Sequence, residues 1–502
     1  MKVKNLASVI LLITLCSACS SQKNCGAIAF SQIAVEYAAV GQSDQALQFT
    51  QKIDRPILKS RTLTQIAGLS LKAGNQQQAT QVLSQAVEVA NQIESLSNKV
   101  AQLQALAAQY RKIGNSKRAD ELLAQTLQIT QTIKEPEEQA SALQDTAIEY
   151  AKVGNSERAE QILSQSLQVA ETISEPGIKD IVLHRIAVQY AKAGKYEQAL
   201  QTANTISDDF PKSSALASIA TEYVKAGNYE QAKTLANTIK LNAFKARAFI
   251  EIGKKTGDYN QALQIAKQVE KEDDQTSLFN NLAKLYLKSG KKAQAIQLLN
   301  DSLQIAGTIE DSGGQASQLI TISSLYTKAG QIEQANAAFF QALQVANSLE
   351  KPDEKSHVLL DIVHQQVEVG QYNQAFNVAQ SLEKIGDRVD ALMAIADQYI
   401  KVGKEPEPAK VLFQAFQVAQ SIENTEQKAK ALARIAGSYA TIKQFNRAIQ
   451  IAAMIEPIPN ESPKAEALAN IAGSYLKDGQ KDKAINVLSQ AVEAAKATQC
   501  KG

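Results

Sequence analysis

The stretch Ile186-Ala187-Val188-Gln189-Tyr190-Ala191-Lys192-Ala193-Gly194-Lys195-Tyr196-Glu197-Gln198-Ala199 decides the fold. It places an apolar-Ala pair, then Tyr, then Gly, then Ala at fixed offsets. The pattern occurs thirteen times, beginning with Ile33-Ala34, Tyr37, Gly41 and Ala46. The later turn positions are Gly74, Gly114, Gly154, Gly194, Gly227, Gly257, Gly290, Gly330, Gly370, Gly403, Lys443 and Gly479, so the repeat covers nearly the whole chain. Self-similarity at a period of this length marks a stacked array in which each unit shares its core only with its neighbours.

Each unit reads as two helices joined by the Gly turn, because Gly takes the left-handed conformation past a helix end without a Cβ penalty. Asn115-Ser116, Asn155-Ser156 and Ser43-Asp44 follow the turn and are suited to cap the second helix. Leu183, Ile186, Ala187 and Tyr190 give the first helix an apolar stripe, and Ala159, Ile162, Leu163, Leu167 and Ala170 give one to a second helix. The ten prolines agree with these boundaries: Pro56, Pro136, Pro176, Pro211, Pro352, Pro457, Pro459 and Pro463 lie between units, and Pro406 and Pro408 lie after Gly403.

The turn positions recur mostly at intervals of 33 or 40 residues. From its opening Ala to its closing apolar residue, the second helix runs Ala199 to Ile206 in a short unit and Ala159 to Ile173 in a long one. The extra seven residues are about two helical turns, so the helix lengthens while its buried face keeps nearly the same direction. Around Gly257 the first helix is shortened, since Gly253 holds the place of the small residue.

Phrases such as Gly194-Lys195-Tyr196-Glu197-Gln198-Ala199 and Gly227-Asn228-Tyr229-Glu230-Gln231-Ala232 resemble the tetratricopeptide (TPR) repeat. The resemblance departs in the first helix, where Phe30, Leu63, Leu103, Leu143, Leu183, Phe279 and Leu432 stand in place of the family's Trp; the chain has no Trp. It implies an all-α fold, a right-handed αα-solenoid of about thirteen helix pairs over residues 26–502. It also implies a non-catalytic scaffold that binds a segment or helix of a protein partner in a concave groove, with no cofactor. In this frame, Arg61, Gln104, Arg111, Gln144, His184, Asn280, Lys284, His357, His364, Asp390 and Asp397 are the candidate groove residues. The Lys and Asn pattern with which chaperone-binding members clamp an acidic C-terminal tail is not evident.

Residues 1–19 read as an export signal: a basic start, Met1 to Lys4, an apolar run, Leu6 to Leu15, and Ser17-Ala18-Cys19. The run is too short for a spanning helix. The segment resembles the bacterial lipoprotein type, in which Cys19 is acylated and becomes the first mature residue; the alternative is cleavage after Ala18 and release. The first reading implies an exported, membrane-anchored lipoprotein facing the periplasm or the cell exterior, with residues 20–25 a short linker. Cys25 and Cys500 would remain, one at each end of the array. Thirteen stacked units normally carry the ends further apart than the about 7 Å a disulfide spans, so a bond between them requires the array to close on itself.

Charge and composition exclude several functions. The chain has 53 Lys and Arg against 51 Asp and Glu, a net charge of +2 over 502 residues, which gives no electrostatic case for nucleic acid. Lys72, Lys112, Lys152, Lys192, Lys225, Lys255, Lys288, Lys328, Lys401 and Lys477 stand two residues before the Gly. They read either as a basic stripe or as cations favoured by helix C-termini. All fourteen Tyr occupy two repeat positions, which suits packing between repeats better than a ligand cage. His357 and His364 lie two turns apart, about 10 Å along a helix, too far to share a metal ion. No nucleophile motif, phosphate loop or carboxylate pair stands out, so catalysis has no support.

Two readings of function stay open: the membrane-tethered scaffold, acting as a monomer in envelope assembly, and a self-associating structural or spacer protein. Thr498, Lys496, Gln499 and Lys501 make the last unit polar, as a solvent-facing cap requires, which disfavours end-to-end polymers.

Overall fold

The computed structural model describes Gly26 to Thr498 apart from residues 405 and 406. Cys16, Cys19, Cys25, Pro406 and Cys500 lie outside the described residues, as do the expected signal and linker. Among the described residues there are twenty-six helices, an antiparallel pair per repeat. The pairs open with α1 (Ala27–Ala39) and α2 (Ser43–Thr50), α3 (Pro56–Lys72) and α4 (Gln76–Ala90), α5 (Leu96–Lys112) and α6 (Ser116–Thr130). Next come α7 (Pro136–Lys152) and α8 (Ser156–Glu171), α9 (Pro176–Lys192) and α10 (Tyr196–Asn204), α11 (Asp209–Lys225) and α12 (Tyr229–Thr238). They continue with α13 (Asn242–Thr256) and α14 (Asn260–Ala266), α15 (Glu272–Lys288) and α16 (Lys292–Ala306), α17 (Ser312–Ala329) and α18 (Ile332–Ser348). The last are α19 (Pro352–Glu368) and α20 (Tyr372–Ser381), α21 (Ile385–Val402) and α22 (Glu407–Gln420), α23 (Thr425–Thr441) and α24 (Phe445–Ala453), and α25 (Pro463–Lys477) and α26 (Lys481–Lys496).

Every turn glycine of the repeat has positive φ, and Lys443 adopts φ 60° where the frame substitutes it for Gly. Asn75, Asn115 and Asn155 cap the following helix by accepting the N–H of Gln78, Arg118 and Arg158. Ser43 makes no such cap; its hydroxyl donates instead to Gln78 of the next repeat. Pro56, Pro136, Pro176, Pro352 and Pro463 open first helices, where their missing N–H has no intrahelical partner to lose. Lys72, Lys112, Lys152, Lys192, Lys225, Lys288 and Lys477 each end a first helix, at the negative pole of its dipole. No described helix is long and apolar enough to cross a membrane.

Second helices fall into two lengths, 7 to 10 residues in α2, α10, α12, α14, α20 and α24 and 14 to 17 in the others. The tyrosines explain how each length is sealed. Where the second helix is short, the aromatic at its start packs on the first-helix Tyr of the next repeat: Tyr196 on Tyr223 at 4.0 Å, Tyr372 on Tyr399 at 4.1 Å, Phe445 on Tyr475 at 3.8 Å, and Tyr259 edge-on to Tyr286 at 5.6 Å. After a long helix, that Tyr instead meets a polar side chain on the helix, as Tyr190 does at Ser164 (3.1 Å) and Tyr326 at Asn300 (2.6 Å). Burial pushes the Tyr326 hydroxyl up to about 12, with Asp301 adding to the shift, so it stays a neutral donor. Helix α13, with 15 residues against the usual 17, ends three residues after Gly253 and carries no Tyr there. The Tyr259 ring folds over Gly253 instead.

The chain divides into two compact units, Glu94–Val418 and a second made of the residues up to Ile93 with those from Ala419 onward. The first of these holds the continuous run α5 to α22, repeat on repeat. The second holds both termini of the array, and its stacking order is α23/α24, α25/α26, α1/α2, α3/α4: α1 packs on α25 and α26 as α3 packs on α1 and α2. This corrects two expectations. The first and last repeats are not far apart, and the last repeat is not a solvent-facing cap, since α26 is covered by α1 and Thr498 is buried.

Candidate functional site

First helices of neighbouring repeats lie side by side, so side chains at one repeat position form a column across them. The column three residues before the small residue (Ala107, Ala147, Ala187, Ala283) holds Gln104, Gln144, His184 and Asn280. The structure places Gln104, Gln144 and Asn280 inside the helix packing, at 8%, 1% and 4% exposure, which corrects their reading as groove residues. Gln104 Nε2 donates to Thr146 Oγ1, and Asn280 bonds Gln318 and Ser302. His184 is half-buried, with Nε2 3.2 Å from Ser214 Oγ.

The column one residue further on turns outward, because one helical step is about 100°. It holds Asp145, Arg185, Ser218, Glu251 and Asn281. The column six before the small residue is open as well and contains Arg61, Ser214, Arg247, Ser277, His357 and Asp390. Lys284, His364 and Asp397, one after the small residue, are exposed. Arg111 is half-buried and lies 3.8 Å from Glu149. The candidates therefore sort into a displayed set and an internal one.

What the structure does gather lies on α11, α13 and α15. A cavity of about 330 Å³ opens between them, lined by Ser214, Ser218, Thr221, Phe244, Arg247, Glu251, Ser277 and Asn281. Phe244 forms its apolar wall, with the Phe210 ring edge-on at 5.0 Å and 65% exposed. The Arg247 guanidinium lies 5.3 Å above the Phe244 ring and 3.6 Å from Asp274. Beside the cavity, Arg185 reaches from α9 to Ser141 Oγ (3.0 Å) and Asp145 (3.9 Å) on α7. Burial raises the Asp145 carboxyl, against the lowering effect of Arg185. Phe210, Phe244 and Arg247 were missed in the sequence. The available signal was two Phe off the Tyr positions of the repeat, together with the frame in which Gly253 holds the small-residue place, which sets Arg247 in the same column as Arg61 and His357.

This face can hold a peptide: hydroxyls and an amide for main-chain hydrogen bonds, an aromatic wall for one apolar side chain, and charges of both signs. Its histidine gives a test of the burial. Desolvation, and then the neighbouring Arg185, hold the His184 pKa below its ordinary 6.5. The unfolded chain therefore binds the proton more readily, so stability is full above about pH 6.5 and falls as pH drops from there towards the folded-state value. Nuclear magnetic resonance titration is expected to give a midpoint below 6.5, and His184→Gln to flatten the stability profile in that window. A midpoint above 6.5 would contradict the burial.

Gln144 supplies a second prediction. Neither amide atom of this buried side chain has a hydrogen-bond partner in the protein. Gln144→Met keeps the shape and removes the desolvated amide, so the denaturant midpoint is expected to rise by the equivalent of about 1–2 kcal/mol. A lower midpoint would mean that the amide is satisfied in solution.

Tetratricopeptide repeat models match residues 182–213, 276–308 and 465–498. Among solved structures, Ton1535 from Thermococcus onnurineus NA1 is similar at 18% identity, over 74% of this chain and 99% of that one, with a TM-score of 0.29. The Podosopora anserina putative kinesin light chain with nearly identical TPR-like repeats is similar at 18% identity, over 41% and 100%, with a TM-score of 0.27. The human IFIT1 dimer with PPP-AAAA is similar at 14% identity, over 93% and 95%, with a TM-score of 0.28. No curated protein sequence matches the chain.

Proposed function

Because the chain is built of tetratricopeptide repeats, we propose that it is a non-catalytic scaffold that holds a segment of another protein on its first-helix face. The observation that carries the reading is the open cavity on α11, α13 and α15. There Phe210, 65% exposed, packs edge-on against the buried Phe244, and the exposed Arg247 lies over the Phe244 ring, so an aromatic edge and a cation are displayed together on helical elements. Rigid aromatic and Arg side chains are the residue types that anchor protein partners. The layout of residues 1–19 supports a second part of the proposal, that acylated Cys19 tethers the array at the envelope membrane and that its client is an envelope protein.

The test is cross-linking of the native protein in its own membranes, with mass spectrometric identification of what is attached and where. A reproducible protein partner linked near Phe210 and Arg247, and lost in Phe210→Asp, supports the scaffold. Links confined to copies of this chain would reject it. Metabolic labelling with a fatty acid tests the tether separately: label that survives Cys19→Ser would refute it.

A further inference from the structure

The junction of α1 with α25 and α26 differs from the other contacts between repeats in one respect: no connecting loop ties its two sides, which come from opposite ends of the chain. Its geometry is nonetheless that of an ordinary repeat boundary. Ser489 of α26 lowers the pKa of the buried Tyr37 hydroxyl of α1, against the raising effect of burial, as Ser164 does for Tyr190 across a continuous boundary. The Glu36 carboxylate lies on bare backbone of α25, where a Cβ on Gly473 would fall 2.8 Å from Oε1. Lys477, one helical turn further along α25, supplies the attracting charge. Gly26 approaches the Ala495 carbonyl, and the Lys481 ammonium lies near Gly41.

Neither side of the junction has a cap of its own. Phe30, Ile33 and Ala34 on α1 are buried, as are Leu488, Ala491 and Val492 on α26. A solenoid end without a polar cap needs another repeat against it. The two faces are different surfaces, so the contact is heterologous and can be satisfied by a second copy as well as by the chain itself. We propose that this junction is exchangeable between copies, the α1 face of one chain docking on the α25–α26 face of another in the repeat register seen here. Within one chain the high effective concentration of the ends favours self-docking, so exchange requires that the internal junction be weakened or the protein concentrated. The inference goes beyond the scaffold reading and is independent of it, because the client face on α11, α13 and α15 is not involved.

Two charge-placing variants test it. Glu36→Arg sets a cation against Lys477, and Gly473→Glu sets a carboxylate, with its bulk, against Glu36. Alone, each loses its internal junction. Mixed in equal amounts they are expected to give a species of twice the monomer mass in light scattering. In that pairing one junction is native and the other joins the two substituted, oppositely charged side chains. The double variant in one chain is expected to remain a monomer. A mixture that stays at monomer mass, with both variants helical by circular dichroism, would overturn the proposal. If either variant loses its helicity, wild-type protein is concentrated, warmed to the foot of its unfolding transition and cooled. A doubled mass that persists on dilution supports exchange, and monomer alone rejects it.

Discussion

Tyr475→Ala is expected to cost about 3–5 kcal/mol, the range for deleting a buried aromatic ring. Tyr475 is 6% exposed and stacks on Phe445 at 3.8 Å, with Lys483 over the ring at 5.8 Å. It closes the gap left by the short helix α24, which has no second pair of turns to cover α25. In a stacked array the loss falls on adjoining repeats, not on the whole chain. Amide exchange is therefore expected to accelerate most in α24 and α25, while Tyr475→Phe, which keeps the ring, leaves it nearly unchanged. Unaltered exchange in both helices after the Ala substitution would show that the ring stack does not hold this boundary.

Gly253→Ala is expected to be the most damaging single-methyl change in the chain. The new Cβ would lie 2.5 Å from the Tyr259 ring and 2.7 Å from the Asp258 carbonyl oxygen. The ring is held at Tyr286 and the carbonyl is backbone, so neither retreats without disturbing the turn. Overpacking of this kind costs about 1–3 kcal/mol, and the expected value is at the upper end. Gly437→Ala, in the middle of α23 with nothing within 4 Å of the added atom, serves as the opposite case. There the helix gains about 0.5–1 kcal/mol from lost backbone freedom in the unfolded chain. A paired urea titration that moves both midpoints in the same direction would contradict the clash.

The contrast between these two glycines shows what could be read from residues alone. Turn positions were legible because positive φ restricts the choice of residue, and even Lys443 could be placed from its neighbours in the repeat. The two lengths of second helix were legible because seven residues preserve the packing direction. The packing role of the Tyr positions also follows from their period, and the rings meet as that period implies. The displayed face was less legible. A shift of one residue turns a side chain by about 100°, enough to move Gln104 and Gln144 from the surface into the interior while turning Asp145 and Arg185 outward. The docking of α1 on α26 was not legible at all. Each repeat specifies contacts with a neighbour of the same kind, and nothing local says whether that neighbour is next along the chain or hundreds of residues away. The polar residues at the C-terminal end suggested a cap for the same reason: Lys496 and Thr498 were judged without the helix that lies against them.

An open array of repeats unravels from its tips, since an outermost repeat leans on one neighbour and melts before those behind it. The pair α1/α2 has α3 on one side and α25/α26 on the other, so it has no loose tip from which to fray. Its backbone amides are then protected like those of an interior repeat, and the pair opens only when one of its two boundaries breaks. For this pair the opening step becomes a nucleation event instead of a gradual peeling.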